Sequence, residues 1–127
     1  MEFSNDGHRD SLTGVMAPGI FYESAARLIA WARRRGEALS LISADLSQFD
    51  GDMAIQLARN LTAELRGGDL LTRLGTFNFV LMIVGDSNAA KHLIFRLENA
   101  VTPKTTYKSI TLDQDEEIVK GLSRLGV

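Results

Sequence analysis

The chain contains no cysteine, and that absence removes three classes of explanation. There is no disulfide framework, no thiolate metal site and no cysteine nucleophile. Long apolar runs are also missing. No stretch approaches the roughly 18 consecutive apolar residues of a membrane span, and "MEFSNDGHRDSLTG" has no apolar core of a secretion signal. An excess of one charge sign is missing: 14 basic and 16 acidic residues leave a net charge of −2, so no general electrostatic attraction to DNA or RNA operates. The two histidines, His8 and His92, are far apart and have no companions that suggest a metal site or a general base. Repeats and low-complexity tracts are absent. The expectation is a cytoplasmic domain, with no nucleic-acid or membrane partner and no cofactor.

What is present suits one globular unit. Hydrophobic residues make up 45% of the chain and charged residues 24%, enough apolar material for a core of its own. Residues 1–17 are polar and turn-rich, and are expected to form an N-terminal arm over the surface. The domain proper is expected over 18–127. From Pro18 the pattern is helical, with Phe21, Ala25, Leu28 and Ala32 on one face. Proline suits a first helical position, and Gly36 after "RRR" suits the end, where cations meet the negative pole. "ALSLISADL" (38–46) reads as a strand. Asp50 or Asp52 is placed to cap a helix carrying Met53, Leu57, Leu61 and Leu65, which stops at Gly67-Gly68.

Residues 69–74 and 78–84 read as two strands joined by a tight turn at Gly75-Thr76. "FVLMIV" (79–84) is apolar on both faces, the pattern of a strand covered on both sides. Ser87 opens a third helix with Ala90, Leu93, Ile94, Leu97 and Val101 as its stripe. After Pro103, "TTYKSITL" is a fourth strand. Asp113 with Glu116 has the spacing of a capping box for a last helix carrying Ile118, Leu122 and Leu125.

The order after the leading helix is βαββαβ, which predicts an α+β, ferredoxin-like (palm) core with one extra N-terminal helix. The usual strand order of that arrangement sets the first and third strands side by side and antiparallel. Asp45, at the carboxyl end of the first strand, then abuts the hairpin tip at Phe77. A carboxylate from each place would make a divalent-metal site. Here the second position is phenylalanine.

The motifs, taken with that geometry, resemble the GGDEF domain of diguanylate cyclases, which condense two GTP molecules into cyclic di-GMP. "DSLTGV" (10–15) is similar to the family's DxLTGL motif. "LISADLSQF" (41–49) is similar to its strand ending in DxDxF, and "DLLTRLGTFNF" (69–79) to its D-x-x-x-R-x-GGDEF hairpin. The match runs from about Asp10 to about Val101, and the last strand and helix fit only generically.

The resemblance implies a degenerate member, a reduced GGDEF fold. In the family, magnesium is held by the first Asp of the strand motif, a neighbouring carbonyl and the acidic third residue of GGDEF. Asp45 and the Leu46 carbonyl fill the first two roles, whereas Phe77 stands in the third and Asn78 replaces the following Glu. Asp45, Gly75, Thr76, Phe77, Asn78 and Phe79 thus form a former active site, with Phe77 and Phe79 read as packing residues. The family's guanine-reading segment after the Phe of its strand motif is missing, since Phe49 runs straight into "DGD" (50–52). No catalytic and no metal-binding residue is expected.

What the resemblance leaves intact is "RGGD" (66–69). The family's inhibitory site is an RxxD motif five residues ahead of GGDEF, and five residues separate Asp69 from Gly75 here. An Arg guanidinium can donate to O6 and N7 of guanine, and an Asp can accept from its N1 and N2 hydrogens. Arg66 and Asp69, with Arg73 as a possible phosphate contact or as the partner of a nearby carboxylate, are therefore candidate cyclic di-GMP ligands. The plain reading of the same four residues is a helix end, a glycine turn and a strand start. "WARRRGE" (31–37) reads as a solvated helix end or as a basic partner completing such a site. Two functions stay open: a catalytically inactive cyclic di-GMP receptor, or a protein-interaction or homodimerisation domain without a nucleotide ligand.

Overall fold

A computed structural model of the chain describes residues 8–48 and 50–127. The first seven residues of the arm and Phe49, the last residue of the strand motif, lie outside the described residues. The elements run α1 (Pro18–Arg35), β1 (Leu39–Leu46), α2 (Gly51–Glu64), β2 (Leu70–Arg73), β3 (Asn78–Val84), α3 (Ser87–Ala100), β4 (Thr105–Thr111) and α4 (Ile118–Leu125).

Local chemistry accounts for most of the boundaries. Pro18 opens α1, and Gly36 ends it at φ 69°, donating its N–H to the carbonyls of Ala32 and Arg33. The Asp50 carboxylate accepts from the N–H groups of Asp52 and Met53 at the start of α2. Asp86 does the same for Asn88 and Ala89 of α3. Two expected boundaries move. Helix α2 ends at Glu64, before Gly67-Gly68, and its cap Leu65 is extended. Asp113 and Glu116 do form half a capping box, the Asp113 N–H donating to the Glu116 carboxylate at 2.9 Å. That bond closes a turn ahead of the helix, which starts only at Ile118 with Glu117 as its cap.

The sheet order is β2-β3-β1-β4 and every neighbouring pair is antiparallel. This is the α+β, ferredoxin-like arrangement expected from the element order. Strands β1 and β3 are central. Odd and even positions of a strand face opposite ways, so each central strand feeds two cores. Ile42, Ala44, Phe79, Leu81 and Ile83 pack with α2 and α3. Leu41, Val80 and Met82 pack with Phe21, Ala25 and Ile29 of α1 and with Ile118, Leu122 and Leu125 of α4. The doubly apolar "FVLMIV" is thus explained by helices on both faces.

The described part of the arm does more than cross the surface. Val15 is buried in the core under α2. Met16 bridges in parallel to Thr72 of the edge strand β2, and the Thr72 hydroxyl donates to the Met16 carbonyl at 2.6 Å. The polar composition of residues 8–17 hides these anchors, because only two or three of them face inward.

Candidate functional site

The sheet brings Asp45 and the hairpin tip together as its order requires. Asp45 is the register partner of Asn78 across β1 and β3. The Asn78 side-chain amide donates to the Asp45 carboxylate at 2.9 Å, and the Leu46 N–H donates to the Phe77 carbonyl at 2.9 Å. The loop between β2 and β3 is closed by Leu74 N–H to the Asn78 carbonyl, which leaves Gly75, Thr76 and Phe77 at the tip. Gly75 suits its place because a Cβ there would come within 2.9 Å of the Asn78 side-chain oxygen. One carboxylate hydrogen-bonded to a neutral amide therefore stands where the resemblance implies an acidic pair. Among the described residues no cluster of three or more His, Cys, Asp or Glu side chains could hold a metal ion.

The two tip phenylalanines differ from each other. Phe79 is fully buried under α2 and α3, a packing residue as expected. Phe77 is 42% exposed. Strand alternation alone would set both on one face; the difference is that Phe79 sits within the ladder, while Phe77 lies in the turn beyond its last pair.

Between β1 and α2 only residues 47–50 intervene. Asp50 is already the helix cap there, so the backbone passes from strand to helix without a further segment.

Arg73 pairs with a carboxylate, and that carboxylate is Asp10 of "DSLTGV". Its Nη1 lies 3.2 and 3.3 Å from the two Asp10 oxygens, and Nη2 donates to the Thr76 carbonyl. Both side chains are largely buried, with 14% and 16% exposure. Asp10 also accepts from the N–H and the hydroxyl of Thr13, which makes "LTG" a turn. Two motifs that look separate in the sequence are one ion-paired knot that ties the arm to the hairpin. The knot holds Arg73 at the far end of β2 from Asp69 and away from the Arg66 cleft.

Arg66 and Asp69 form a reciprocal turn. The Arg66 N–H donates to the Asp69 carboxylate at 2.9 Å, and the Asp69 N–H donates to the Arg66 carbonyl at 3.0 Å. Gly68, at φ 95°, supplies the left-handed residue that closes it. The Arg66 guanidinium has no hydrogen-bond or ion-pair partner among the described residues, and it borders a cleft of about 190 Å³ shared with Asp69, His92, Leu93 and Arg96. Arg96 was not singled out in the sequence, and His92 was weighed there only as a metal ligand or general base. They lie four apart on α3, a spacing that puts them on one face, but only the sheet brings that face to the turn. Arg96 is itself anchored, donating to the Glu64 carboxylate at 2.9 Å and to the Glu64 carbonyl at 3.1 Å.

Two arginines of the α1 basic run have partners inside the chain. Arg33 donates to the carbonyls of Gln114 and Glu116, and Arg35 stacks over Trp31 at 5.2 Å.

No family model and no curated protein matches the chain. Solved structures do. A sensory box/GGDEF family protein from Caulobacter crescentus CB15 is 22% identical, with a TM-score of 0.79 over 92% of this chain and 91% of that one. The GGDEF domain of DgcB from Caulobacter crescentus, solved in complex with c-di-GMP, is 14% identical, with a TM-score of 0.80 over 98% and 88%. Diguanylate cyclase SiaD from Pseudomonas aeruginosa, solved with its activator SiaC, is 20% identical, with a TM-score of 0.80 over 92% of this chain. The chain spans about half of SiaD, 54% of its length. At these identities the likeness speaks for architecture. Sheet order, the Asp45–Asn78 register and these matches together give the chain the fold of GGDEF domains.

Proposed function

We propose that the chain is a catalytically inactive GGDEF-fold module that binds cyclic di-GMP through Arg66 and Asp69. The observation that carries this reading is the Arg66–Asp69 turn, whose guanidinium is left uncommitted beside a cleft. A carboxylate has two oxygens and about four acceptor sites. One turn bond to the Arg66 N–H therefore leaves Asp69 able to accept from a guanine edge, while Arg66 donates to its other face. Arg96 and His92 border the same cleft and add donors for a phosphate. The DgcB domain with c-di-GMP and a microbial GGDEF domain with bis-(3,5)-cyclic di-GMP are precedents on this fold.

Inactivity is supported by the hairpin. Phosphoryl transfer between two nucleotides needs metal cations held by several anionic oxygens beside the triphosphate. Asp45, bonded to Asn78 and next to Phe77, offers a single carboxylate. The short passage from β1 to α2 also lacks room for a base-reading segment. A cytoplasmic location goes with this reading, and no helix among the described residues is long and apolar enough to cross a membrane.

A second reading is a protein-docking or homodimerising module. It is favoured by Phe95, which is 69% exposed on α3, and by the SiaD structure, which holds a protein activator. Calorimetric titration with cyclic di-GMP separates the two. The receptor predicts saturable binding that is lost in Arg66→Ala. Absence of heat, or binding indifferent to that substitution, would favour docking.

A further inference from the structure

A second, larger concavity lies between the arm, the first turn of α1, α2 and β2. It has a volume of about 590 Å³, within the range of small-molecule sites. Its apolar surface comes from Ile20, Ile55, Leu65 and Leu71, of which Leu71 is buried and the others half-buried. Two arginines, Arg9 and Arg59, line it as well. Arg9 is steadied by donating to the Gly14 carbonyl at 3.0 Å. Arg59 is exposed, and its side chain has no hydrogen-bond or ion-pair partner among the described residues.

The placement follows from the helix. Ala54, Leu57, Ala58 and Leu61 turn toward the sheet, which leaves Ile55, Arg59 and Thr62 as a neighbouring stripe facing the arm. Arg59 thus stands over apolar side chains, where an anion bound beside them is partly screened from water and gains more from the cation than it would in bulk solvent. The chain is acidic overall, with a net charge of −2, yet among the described residues this wall carries two arginines against one carboxylate, Asp69.

We propose that this groove binds a small amphipathic anion: a flat apolar body resting on Ile20, Ile55, Leu65 and Leu71, with one carboxylate or phosphate against Arg59 and Arg9. The site is separate from the Arg66 cleft. Asp69, in the wall between them, is the one residue that lines both. The groove stands whether or not cyclic di-GMP binds.

The test is an amide-resolved NMR titration of the full chain with 1-naphthaleneacetate and, in a second arm, 1-naphthyl phosphate. Neutral 1-naphthaleneethanol is the control. The expected result is saturable shifts confined to residues 9–16, 20, 55–65 and 69–71 with at least one anionic probe, and weaker binding of the neutral analogue. The better of the two anions tells a carboxylate site from a phosphate site. Arg59→Ala should weaken the anion about threefold or more, as loss of a solvent-exposed ion pair does, and Arg59→Lys should restore part of it. Ile55→Glu should abolish binding by placing a charge against the apolar body. Arg66→Ala should leave it unchanged. Absence of saturable shifts with either anion, equal affinity for the neutral analogue, indifference to Arg59→Ala or loss in Arg66→Ala would each overturn the proposal.

Discussion

Glu116→Gln tests how the C-terminal helix is held. Glu116 is 5% exposed. Its two oxygens accept from Arg124 Nε at 2.8 Å and Nη2 at 2.7 Å, and one of them also accepts from the Asp113 N–H at 2.9 Å. Arg124 in turn donates to the Thr111 carbonyl, so the pair pins α4 to the end of β4. These donors, the Arg124 bonds first, hold the Glu116 carboxyl well below its usual 4.5, at about 2. The unfolded chain therefore takes up this proton at a higher pH than the folded one does. The stabilisation is complete above about pH 5 and is lost as pH falls through the window from 4.5 to about 2.

A shift of that size corresponds to about 3 kcal/mol at neutral pH. Arg124 is 42% exposed and water takes over part of its bonding in the variant, so about 2 kcal/mol is expected. Entropy of unfolding of about 0.27 kcal/mol/K for a chain of this length makes that a Tm drop of about 7 °C. Glutamine keeps the shape but turns an amide N–H₂ toward guanidinium donors. The assay is urea and thermal unfolding of both proteins at pH 6 and pH 3. The difference between them should fall to less than half at the lower pH, because unfolded wild type is then largely protonated at Glu116 and must give up that proton to fold, whereas the variant has none to exchange. Equal stability at pH 6, or a difference that does not change with pH, would refute the account.

Other substitutions probe the remaining links. Phe77→Asp combined with Asn78→Glu should yield no cyclic di-GMP from GTP and magnesium, since only residues 47–50 join β1 to α2; product detected by chromatography would contradict that reasoning. Gly121→Ala should destabilise by about 1–3 kcal/mol in urea unfolding, because a Cβ at this buried point of α4 would run into Leu112 and would lie 3.1 Å from Leu41. Thr72→Val removes the bond to the Met16 carbonyl and should cost about 1 kcal/mol, with faster amide exchange at residues 14–17 as the specific sign that the arm has loosened.

Much of the secondary structure was readable because its causes are local. Pro18, Gly36 and Asp50 act on backbone groups within a few residues, and the two-faced apolarity of "FVLMIV" states directly that β3 is central. The capping-box spacing of Asp113 and Glu116 was also legible and still misplaced the helix start. What draws Glu116 inward is Arg124, a partner that no local rule identifies. The length of α2 was overestimated for a related reason: glycines attract the eye, but an extended Leu65 had already ended the helix.

The candidate site divides in the same way. By itself the sequence determined which chemistry is present: a carboxylate in Asp45 at the end of the first strand, Phe77 at the hairpin, and Arg66 and Asp69 at a fixed distance ahead of it. These are matters of residue identity and spacing along one chain. Only the tertiary structure decided which groups meet and which are already spent. It paired Asp45 with Asn78, tied Arg73 to Asp10 and folded Asp69 back onto the Arg66 N–H. It also exposed Phe77, set Arg96 and His92 beside Arg66, and enclosed a groove under Arg59. Each of these depends on which strand lies next to which and which face of a helix is turned inward, and such choices are made by burying a whole core at once.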